Sequence, residues 1–383
     1  MRTQLHPDII ATDWGREADR ILRSCVHCGF CAATCPTYRL LGDELDSPRG
    51  RIYLIKEMLE LDTAGPLTQR HLDRCLTCRA CETTCPSGVE YGRLLEIGRE
   101  YLELKVARAP AERLARWLMC HLVPYPRRLT PLMRLGQSLR PLMPRSLKQK
   151  VPKRDRPIHF EPIDSTDAQR KVVLLEGCVQ RVARGSTNAG ARKLLNEHGV
   201  EVTTLAEERC CGALALHLGH ASEAEEFMVH NVDVLERALD GGAQAIISSA
   251  SGCGVTLKDY GRLLRGEPGM AERARRVASH IRDLAEYVLE LDLELPRVGE
   301  GTRVAFQTPC TFQHGQRLAN GPEELLGRAG YEIVPVVDAH LCCGSAGAYS
   351  LLEPRISGAL RERKLEALQK HSPDVIATAN IGC

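Results

Sequence analysis

Hydrophobic and polar residues follow two different periods along this chain. Near the N-terminus, residues 49–61 (RGRIYLIKEMLEL) place apolar side chains such as Ile52, Ile55 and Leu59 at i, i+3 and i+7, which is the period of an amphipathic helix. After Lys171, short β-rich runs alternate with helical patterns, which is typical of βαβ units around a parallel sheet. The pattern therefore predicts a helical first region and an α/β remainder.

The α/β remainder contains the same order of elements twice. Predicted strands lie at 172–178, 200–205 and 243–249, and again at 304–310, 331–337 and 374–379. Helical patterns lie between them at 187–198 and 221–239, and again at 316–330 and 356–371. Two copies of one unit, offset by about 130 residues, indicate an internal repeat. We therefore expect two α/β domains, each built around a parallel sheet.

Positive charge is concentrated in the segment between these regions. Residues 101–156 hold 14 Lys/Arg against Glu103, Glu112 and Asp155, a local net charge of +11, whereas the whole chain has a net charge of only +2. So small a total argues against a nucleic-acid binder. Seven prolines in the segment exclude one long helix, so we expect a helix from about Ala111 to Leu122 and then an extended connection.

The N-terminus carries no sign of a secretory signal. Its first 25 residues contain four acidic residues and no continuous apolar stretch. No run of about 18 apolar residues occurs anywhere, so no membrane-spanning helix is expected. We therefore expect a cytoplasmic protein. Any membrane contact would be peripheral, on the cytoplasmic face of the inner membrane, where the basic segment suits anionic lipid.

Two runs of four cysteines with identical spacing carry the strongest chemical signal. The first run is Cys25, Cys28, Cys31 and Cys35, and the second is Cys75, Cys78, Cys81 and Cys85, each followed by a proline. This C-x2-C-x2-C-x3-C-P run is the bacterial ferredoxin spacing for a [4Fe-4S] cluster, in which the fourth cysteine binds the other cluster when two are present. We therefore assign Cys25, Cys28, Cys31 and Cys85 to cluster 1, and Cys75, Cys78, Cys81 and Cys35 to cluster 2. Structural zinc sites are the alternative, although zinc is usually bound by separated C-x2-C pairs.

The remaining grouped cysteines repeat with the α/β units. Each unit has one cysteine 32 positions before a Cys-Cys-Gly, and another about 40 positions after it. The two sets are Cys178, Cys210, Cys211 and Cys253, and Cys310, Cys342, Cys343 and Cys383. Such cysteines could converge at the carboxyl edge of a parallel sheet and hold a further iron-sulfur cluster. Buried cysteines acting as small hydrophobes, or disulfide chemistry at the strained adjacent pair, are the alternatives.

These signals together predict a fold and a division into domains. The fold class is α plus α/β, with a helical, ferredoxin-like two-cluster domain followed by two repeated Cys-Cys-Gly (CCG) domains with parallel sheets. The domains are expected at 1–100 for the two-cluster part, 101–168 for the basic Pro-rich connector, and 169–300 and 301–383 for the CCG domains. The chain stops directly after the last strand-like run, where a closing helix would be expected, so the second CCG domain is expected to be truncated or to hold Cys383 on a frayed end.

Several phrases carry a resemblance to a known family. With the two cysteine runs and the two CCG domains, LDSPRGRIYLIKEMLE, CLTCRACETTCPSGVEYGRLLEIGR, EGCVQ, ASGCG and CCGSAG resemble the iron-sulfur subunits of glycolate oxidase (glycolate dehydrogenase) over nearly the whole chain. The resemblance implies a subunit of an oxidoreductase complex whose FAD lies in flavoprotein partner subunits. It also implies that electrons pass from that flavin to the clusters and on to a quinone pool, so the chain alone would oxidise no substrate.

The CCG domains also resemble the catalytic subunit of heterodisulfide reductase, with one departure. That family uses a further cysteine near the end of each motif, whereas Thr256 and Ala250 stand three positions after and before Cys253. A noncubane cluster is therefore in doubt in the first half. Two further hypotheses compete with the glycolate-type subunit: the cluster subunit of an anaerobic glycerol-3-phosphate or D-lactate dehydrogenase, which shares the plan, and a thiol-disulfide reductase.

Some single residues near these motifs carry weaker signals. Four histidines lie close to the CCG motifs and could act as proton donors or ligands, although a lone histidine is more often a surface or capped residue: His217, His220, His314 and His340. Cys120, alone on a predicted helix, is expected to pack rather than react. No dinucleotide fingerprint, P-loop or Ser/His/Asp signature occurs, so no catalytic residue is assigned.

Overall fold

Proline sets the start of many helices in the first part of the protein. The computed structural model describes residues 1–144, 148, 151–156 and 170–383. Six helices of the first part have proline in their first turn, where its missing N–H costs no hydrogen bond. The helices of this part are Pro7–Ile10, Asp13–Ser24, Phe30–Ala33, Pro36–Leu41, Pro48–Leu61, Pro66–Asp73, Ala80–Thr84, Tyr91–Lys105, Pro110–Leu122 and Pro126–Leu139, with short 3-10 helices at Glu44–Asp46 and Arg140–Leu142.

Helix Pro48–Leu61 lies at the centre of this helical part. Ser47 caps it by accepting a hydrogen bond from the Gly50 N–H, and Ile55 and Leu59 on its predicted apolar face are fully buried. They pack with buried leucines of helices Asp13–Ser24, Pro66–Asp73 and Tyr91–Lys105. The predicted helical first region is confirmed, and this core fixes the loops that carry the first eight cysteines.

The basic segment departs from the prediction. A helix does run over Pro110–Leu122, but a second helix, Pro126–Leu139, stands where we expected an extended connection. Pro126 occupies the first turn, and only Pro131 lies inside the helix. One interior proline removes a single backbone hydrogen bond, which this helix tolerates. The predicted end of the connector at 168 lies outside the described residues.

Two parallel sheets form the rest of the chain, as predicted. The first has the order β2-β1-β3-β4 and the second the order β6-β5-β7. The strands are β1 Arg170–Leu175, β2 Val200–Thr203, β3 Ala245–Ser248, β4 Ile281–Asp283, β5 Arg303–Gln307, β6 Glu332–Val334 and β7 Val375–Thr378. The central strands correspond in register, because Val172 of β1 lies opposite Ala245 and Val304 of β5 opposite Val375. The sheets therefore share one topology, with β4 as an additional strand in the first.

Helices cover the sheets and join the two halves. Around the first sheet they are Gln180–Ala183, Gly185–Glu197, Ala213–His217, Ala221–Asp240, Ser251–Lys258, Tyr260–Leu263, Ala271–Ser279 and Leu284–Glu290, and around the second Gly321–Arg328, Tyr349–Leu352 and Pro354–Gln369, with a π-helical turn at Thr311–Gly315. The halves meet where the Ser251 and Thr311 hydroxyls lie 2.7 Å apart and the Gln316 amide donates to Asp283 at 3.1 Å. The segments that follow β3 and β5, and the end of β4, are therefore joined directly by side-chain hydrogen bonds.

Candidate iron-sulfur sites

The first cysteine loop, residues 25–35, turns back on itself through left-handed backbone conformations. His27 has φ 56° and Gly29 has φ 85°. Glycine favours this left-handed conformation, and a Cβ on Gly29 would lie 2.8 Å from the Arg49 guanidinium, which would have to move. Three cysteines of this loop line one cavity with Cys85 from the other run: Cys25, Cys28 and Cys31. Cys81 borders the same cavity.

The second cysteine loop, residues 75–85, repeats this backbone. Thr77 and Arg79 have φ 54° and 59°, at the positions that correspond to His27 and Gly29. Burial raises the pKa of Cys81, and the nearby thiols of Cys78, Cys75 and Cys35 raise it further. Cys35 of the first run therefore lies among the first three cysteines of the second run. The fourth cysteine of each run lies beside the opposite loop.

Both loops fit iron-sulfur clusters by the chemistry of their donors. All 17 cysteines lie in the described part of the chain, and none forms a disulfide there. Sets of four thiols converging on one point, with no competing carboxylate in the lining of the first cavity, match the thiolate ligation of a [4Fe-4S] cluster. Burial, followed by the nearby thiol of Cys25, raises the pKa of Cys31 to about 11, so thiolates at this spacing need a bound cation to be stable.

A buried arginine lies beside the second loop. The Arg51 side chain is 1 % exposed, and its guanidinium pairs with the fully buried Asp46 at 3.2 Å and lies 4.0 Å from the Cys35 sulfur. Burial opposes its charge, but the nearby Cys75, Tyr91, Cys35 and Asp46 outweigh that effect and raise the pKa of Arg51. Tyr91 also donates a hydrogen bond to the Cys75 sulfur at 3.5 Å. This loop therefore has a fixed positive charge and a hydroxyl donor against its sulfurs.

The first CCG site gathers its four cysteines at the carboxyl edge of the first sheet, as we expected. The sulfurs of Cys178 and Cys210 are 3.6 Å apart, and hydrogen bonds from Cys210 and Cys253 lower the pKa of Cys211 well below its usual value, against its burial. Cys253 stands in the first turn of helix Ser251–Lys258 rather than at a strand end. The buried carboxylate of Glu208 accepts hydrogen bonds from two backbone N–H groups of the loop after β1 and so positions Cys178.

The second CCG site repeats this arrangement. The sulfurs of Cys310 and Cys342 are 3.8 Å apart, and hydrogen bonds from Cys342 and Cys383 lower the pKa of Cys343 well below its usual value. Its surroundings differ, because buried Lys364 donates to the Asp338 carbonyl at 2.9 Å close to these thiols. A thiol of lowered pKa among three others is a favourable metal ligand in both halves.

The second CCG site lies against the second cysteine loop. Leu76 packs in one apolar cluster with Cys342 and Tyr349, with Cys78 and Cys310 against it. Burial raises the pKa of Cys78, and Cys310 is the next cause of that rise. The second loop is therefore in contact with the second CCG site.

Three of the four singled-out histidines lie at these contacts, two of them through their backbone carbonyls. Thr83 of the second loop and His314 Nδ1 are 2.8 Å apart, while His314 Nε2 lies 2.9 Å from the His340 carbonyl. Arg99 donates both to Thr77 of the second loop and to the His217 carbonyl. Burial lowers the pKa of His217 to about 4, so its imidazole is neutral. His220 is the residue that precedes helix Ala221–Asp240.

Sequence patterns alone did not single out Arg51, Arg99, Glu208 or Lys364. Each acts on a cysteine that lies 16 or more positions away in the chain. Arg51 does lie within one of the phrases that carry the resemblance. Cys120 packs with Met119 and Leu218, in line with the expectation that it is not reactive.

Comparison with known proteins agrees with this geometry. Residues 21–89 match a family described as "4Fe-4S dicluster domain", and residues 172–258 and 304–383 each match one described as "Cysteine-rich domain". The "Glycolate oxidase iron-sulfur subunit" of Escherichia coli K12 is 45% identical over 383 residues, which cover 100% of this chain and 94% of that protein. The chain belongs to the family of glycolate oxidase iron-sulfur subunits.

Further relatives extend the comparison. The "Probable glycolate oxidase iron-sulfur subunit" of Bacillus subtilis 168 is 32% identical, covering 94% of this chain and 87% of that protein. "Lactate utilization protein A" of Bacillus licheniformis is 26% identical over 56% of this chain and 88% of its own length. The predicted family, the 4Fe-4S and CCG content and membership of an oxidoreductase complex are thus confirmed. Within the described residues, no helix has the length and apolar character needed to cross a membrane.

Proposed function

We propose that this chain is the electron-transfer subunit of a flavin-dependent glycolate dehydrogenase, placed between the FAD of partner flavoprotein subunits and a quinone pool. Oxidation of a 2-hydroxy acid removes two electrons, whereas a bound [4Fe-4S] cluster exchanges one at a time, so a flavin belongs upstream of the thiol sites. The observation that carries the proposal is the contact between the second cysteine loop and the second CCG site through Leu76, Cys78 and Cys310.

The protein's own residues hold this chain of sites in place. We assign Cys25, Cys28, Cys31 and Cys85 to cluster 1, Cys75, Cys78, Cys81 and Cys35 to cluster 2, and the two CCG sets to a further cluster. Buried Ile55, Leu59 and Leu94 fix the loops, and Arg51 and Arg99 supply positive charge around the second one. Such rigid burial keeps water from thiolate ligands and keeps the sites at constant separation.

The electron donor is proposed to dock at the first cysteine loop. Cys28 is exposed, whereas Cys25, Cys35, Cys75 and Cys81 are buried. The apolar side chains next to it are also exposed, with Val26 at 66% and Phe30 at 61%. An exposed ligand position with an apolar rim offers a partner close approach to cluster 1. The reducing cytoplasm is the proposed compartment, because unpaired cysteines in such numbers suit it.

The substrate is proposed from the relatives' names together with the cluster plan. Glycolate stands first, because both full-length relatives quoted above are named for it, and lactate is the alternative that the third relative's name supports. Glycerol-3-phosphate remains an alternative from the shared plan of clusters and CCG domains alone.

Reconstitution tests this proposal. The purified chain should show no flavin absorbance and no dye reduction with glycolate, D-lactate or glycerol-3-phosphate. Adding flavoprotein subunits should give glycolate-dependent reduction of a quinone, and Cys78→Ser should abolish it. Cys120→Ser, a matched change at a buried cysteine outside the sites, should leave it intact. Substrate oxidation by the chain alone, with bound flavin, would refute the relay role.

A further inference from the structure

Helix Pro126–Leu139 buries none of its 14 residues. Large leucines on it and just beyond it are widely exposed: Leu132 47%, Leu135 58%, Leu139 45% and Leu142 86%. Their spacing of i, i+3, i+7 and i+10 places them in one stripe along the helix. A helix of this length is only marginally stable in water without an apolar surface to cover such a stripe. Something outside the described fold therefore belongs against it.

The preceding helix shows which side faces away from the protein. Met119 and Cys120 of helix Pro110–Leu122 are buried against Leu218, and Arg116 pairs with Asp73 at 3.0 Å. These contacts attach the helix to the first CCG domain and to the two-cluster part. Its opposite face exposes Leu114 at 56%, Trp117 at 50% and Leu118 at 39%. The two consecutive helices thus both expose large apolar side chains, and helix Pro110–Leu122 also has an anchored inner face.

The charges on these two helices are positive with one exception. Residues 110–142 contain six arginines and no lysine, with Glu112 as their one acidic residue. Glu112 pairs with Arg108 and Arg116. Within the described residues, no carboxylate pairs with Arg113, Arg127 or Arg134. Arg127 and Arg134 are exposed and lie seven positions apart, which places them along one side of the leucine stripe.

We infer that this surface docks on an anionic lipid bilayer. The surface, called here the leucine-arginine face, comprises Leu132, Leu135, Leu139, Leu142, Arg127, Arg134 and the neighbouring Leu114, Trp117 and Leu118. An apolar stripe flanked by arginines, with tryptophan beside it, is the composition of helices that lie in the plane of the membrane interface. Uncompensated arginines match the negative headgroups, whereas the whole chain, at +2, has no general affinity for polyanions.

This inference deepens the proposed function, since it rests on a quinone acceptor dissolved in the membrane. The inference adds that the leucine-arginine face is the part of the chain that contacts the membrane, and that this face recognises anionic lipid. Helix Pro110–Leu122 connects the leucine-arginine face to the body of the protein, because its buried side chains contact Leu218 of the first CCG domain and Leu352 of the second. Docking through this face would hold both CCG domains at the membrane surface.

Vesicle sedimentation of the intact, iron-loaded chain tests the inference. Binding is expected to vesicles of phosphatidylglycerol mixed with phosphatidylcholine, to weaken as salt rises, and to be weak for phosphatidylcholine alone. Arg127→Gln and Arg134→Gln should each lower the affinity about fivefold. Leu135→Gln combined with Leu139→Gln should lower it more than about tenfold, since both side chains would leave the apolar phase.

A matched variant controls for changes in surface polarity. Leu365→Gln with Arg355→Gln alters the same residue types on exposed positions of helix Pro354–Gln369 and should leave binding unchanged. Iron content and circular dichroism of each variant establish that it is folded. Equal loss of binding in the control and in the leucine-arginine variants would overturn the inference.

Two further outcomes separate this inference from the proposed function. If the chain binds no vesicle at low salt, and the leucine variant instead loses its flavoprotein partner on purification, the face is a protein interface and the lipid inference is wrong. Vesicle binding needs no substrate. Vesicle binding without reconstituted glycolate oxidation would therefore refute the proposed function and support the lipid inference. Reconstituted glycolate oxidation without vesicle binding would refute the lipid inference alone.

Discussion

Replacing Arg51 by methionine should lower the reduction potential of one cluster and leave the other almost unchanged. Arg51 is fully buried, with its guanidinium 4.0 Å from the Cys35 sulfur and 3.2 Å from the Asp46 carboxylate. Methionine keeps much of the length and apolar volume of the side chain but removes the positive charge. Because reduction adds a negative charge at the cysteines around Arg51, losing the cation makes reduction less favourable.

The distance from Arg51 to Cys35 sets the size of the effect. Two unit charges 4 Å apart interact by about 4 kcal/mol at the effective dielectric constant near 20 that suits protein sites. The added electron is spread over the cluster, farther from Arg51 than the sulfur, so about half of this, roughly 2 kcal/mol, is the expected change. For one electron that corresponds to a fall of roughly 90 mV. The loss of the Asp46 pair should also lower stability by about 3 kcal/mol.

EPR-monitored redox titration of the purified chain measures this shift. Arg51→Lys keeps the charge and should move the potential far less, while Asp46→Asn removes the opposing carboxylate and should move the potential of the same cluster upward. This opposite sign separates electrostatics from damage to the loop. Equal shifts in Arg51→Met and Arg51→Lys, or no shift in a variant that retains its iron, would refute the reasoning.

Three further predictions follow from the sites. Cys35→Ser should disturb the EPR signal of the cluster held by the second run more than that of its own run; a loss confined to the first run would contradict the crossed assignment. Cys211→Ser or Cys343→Ser should lower iron content while both ferredoxin-type signals persist, and unchanged iron and quinone reduction after all eight CCG cysteines are replaced would make them structural. Burial raises the pKa of Asp283 to about 6 from 3.8, so between these values the native state keeps a proton that the unfolded state has lost, and stability falls as pH rises through that window. Asp283→Asn should remove about 2 kcal/mol of the stability change between about pH 4.5 and pH 7 and so lose less in Tm over that range, whereas an unchanged difference would exclude Asp283 as its source.

Periodicity predicted the elements that bury a regular face. Ile52, Ile55 and Leu59 marked helix Pro48–Leu61 because one side of it packs in the core. The strands β1 and β3 were predicted because they are short, continuous apolar runs buried in a parallel sheet. The repeated cysteine spacing predicted the two halves, since Cys178 and Cys310 follow the corresponding strands β1 and β5 and each lies 32 positions before a Cys-Cys-Gly.

Elements without such a face were missed. Helix Pro126–Leu139 has no buried residue, so its leucines carried no signal of packing, and its prolines suggested an extended chain. Strand β4 has three residues, including Arg282, which is too few for a period. The pairing of Thr83 with His314 spans 231 positions, and local patterns contain nothing about such distances.

The metal content of the anaerobically purified chain tests the central claim most directly. Iron, acid-labile sulfide and zinc should be measured on one sample, with EPR after reduction. The two cysteine runs predict about eight irons per chain with matching sulfide, any CCG cluster adding to that number, and spectra of two interacting [4Fe-4S] centres. Stoichiometric zinc without iron would contradict the assignment of this chain as an iron-sulfur electron carrier.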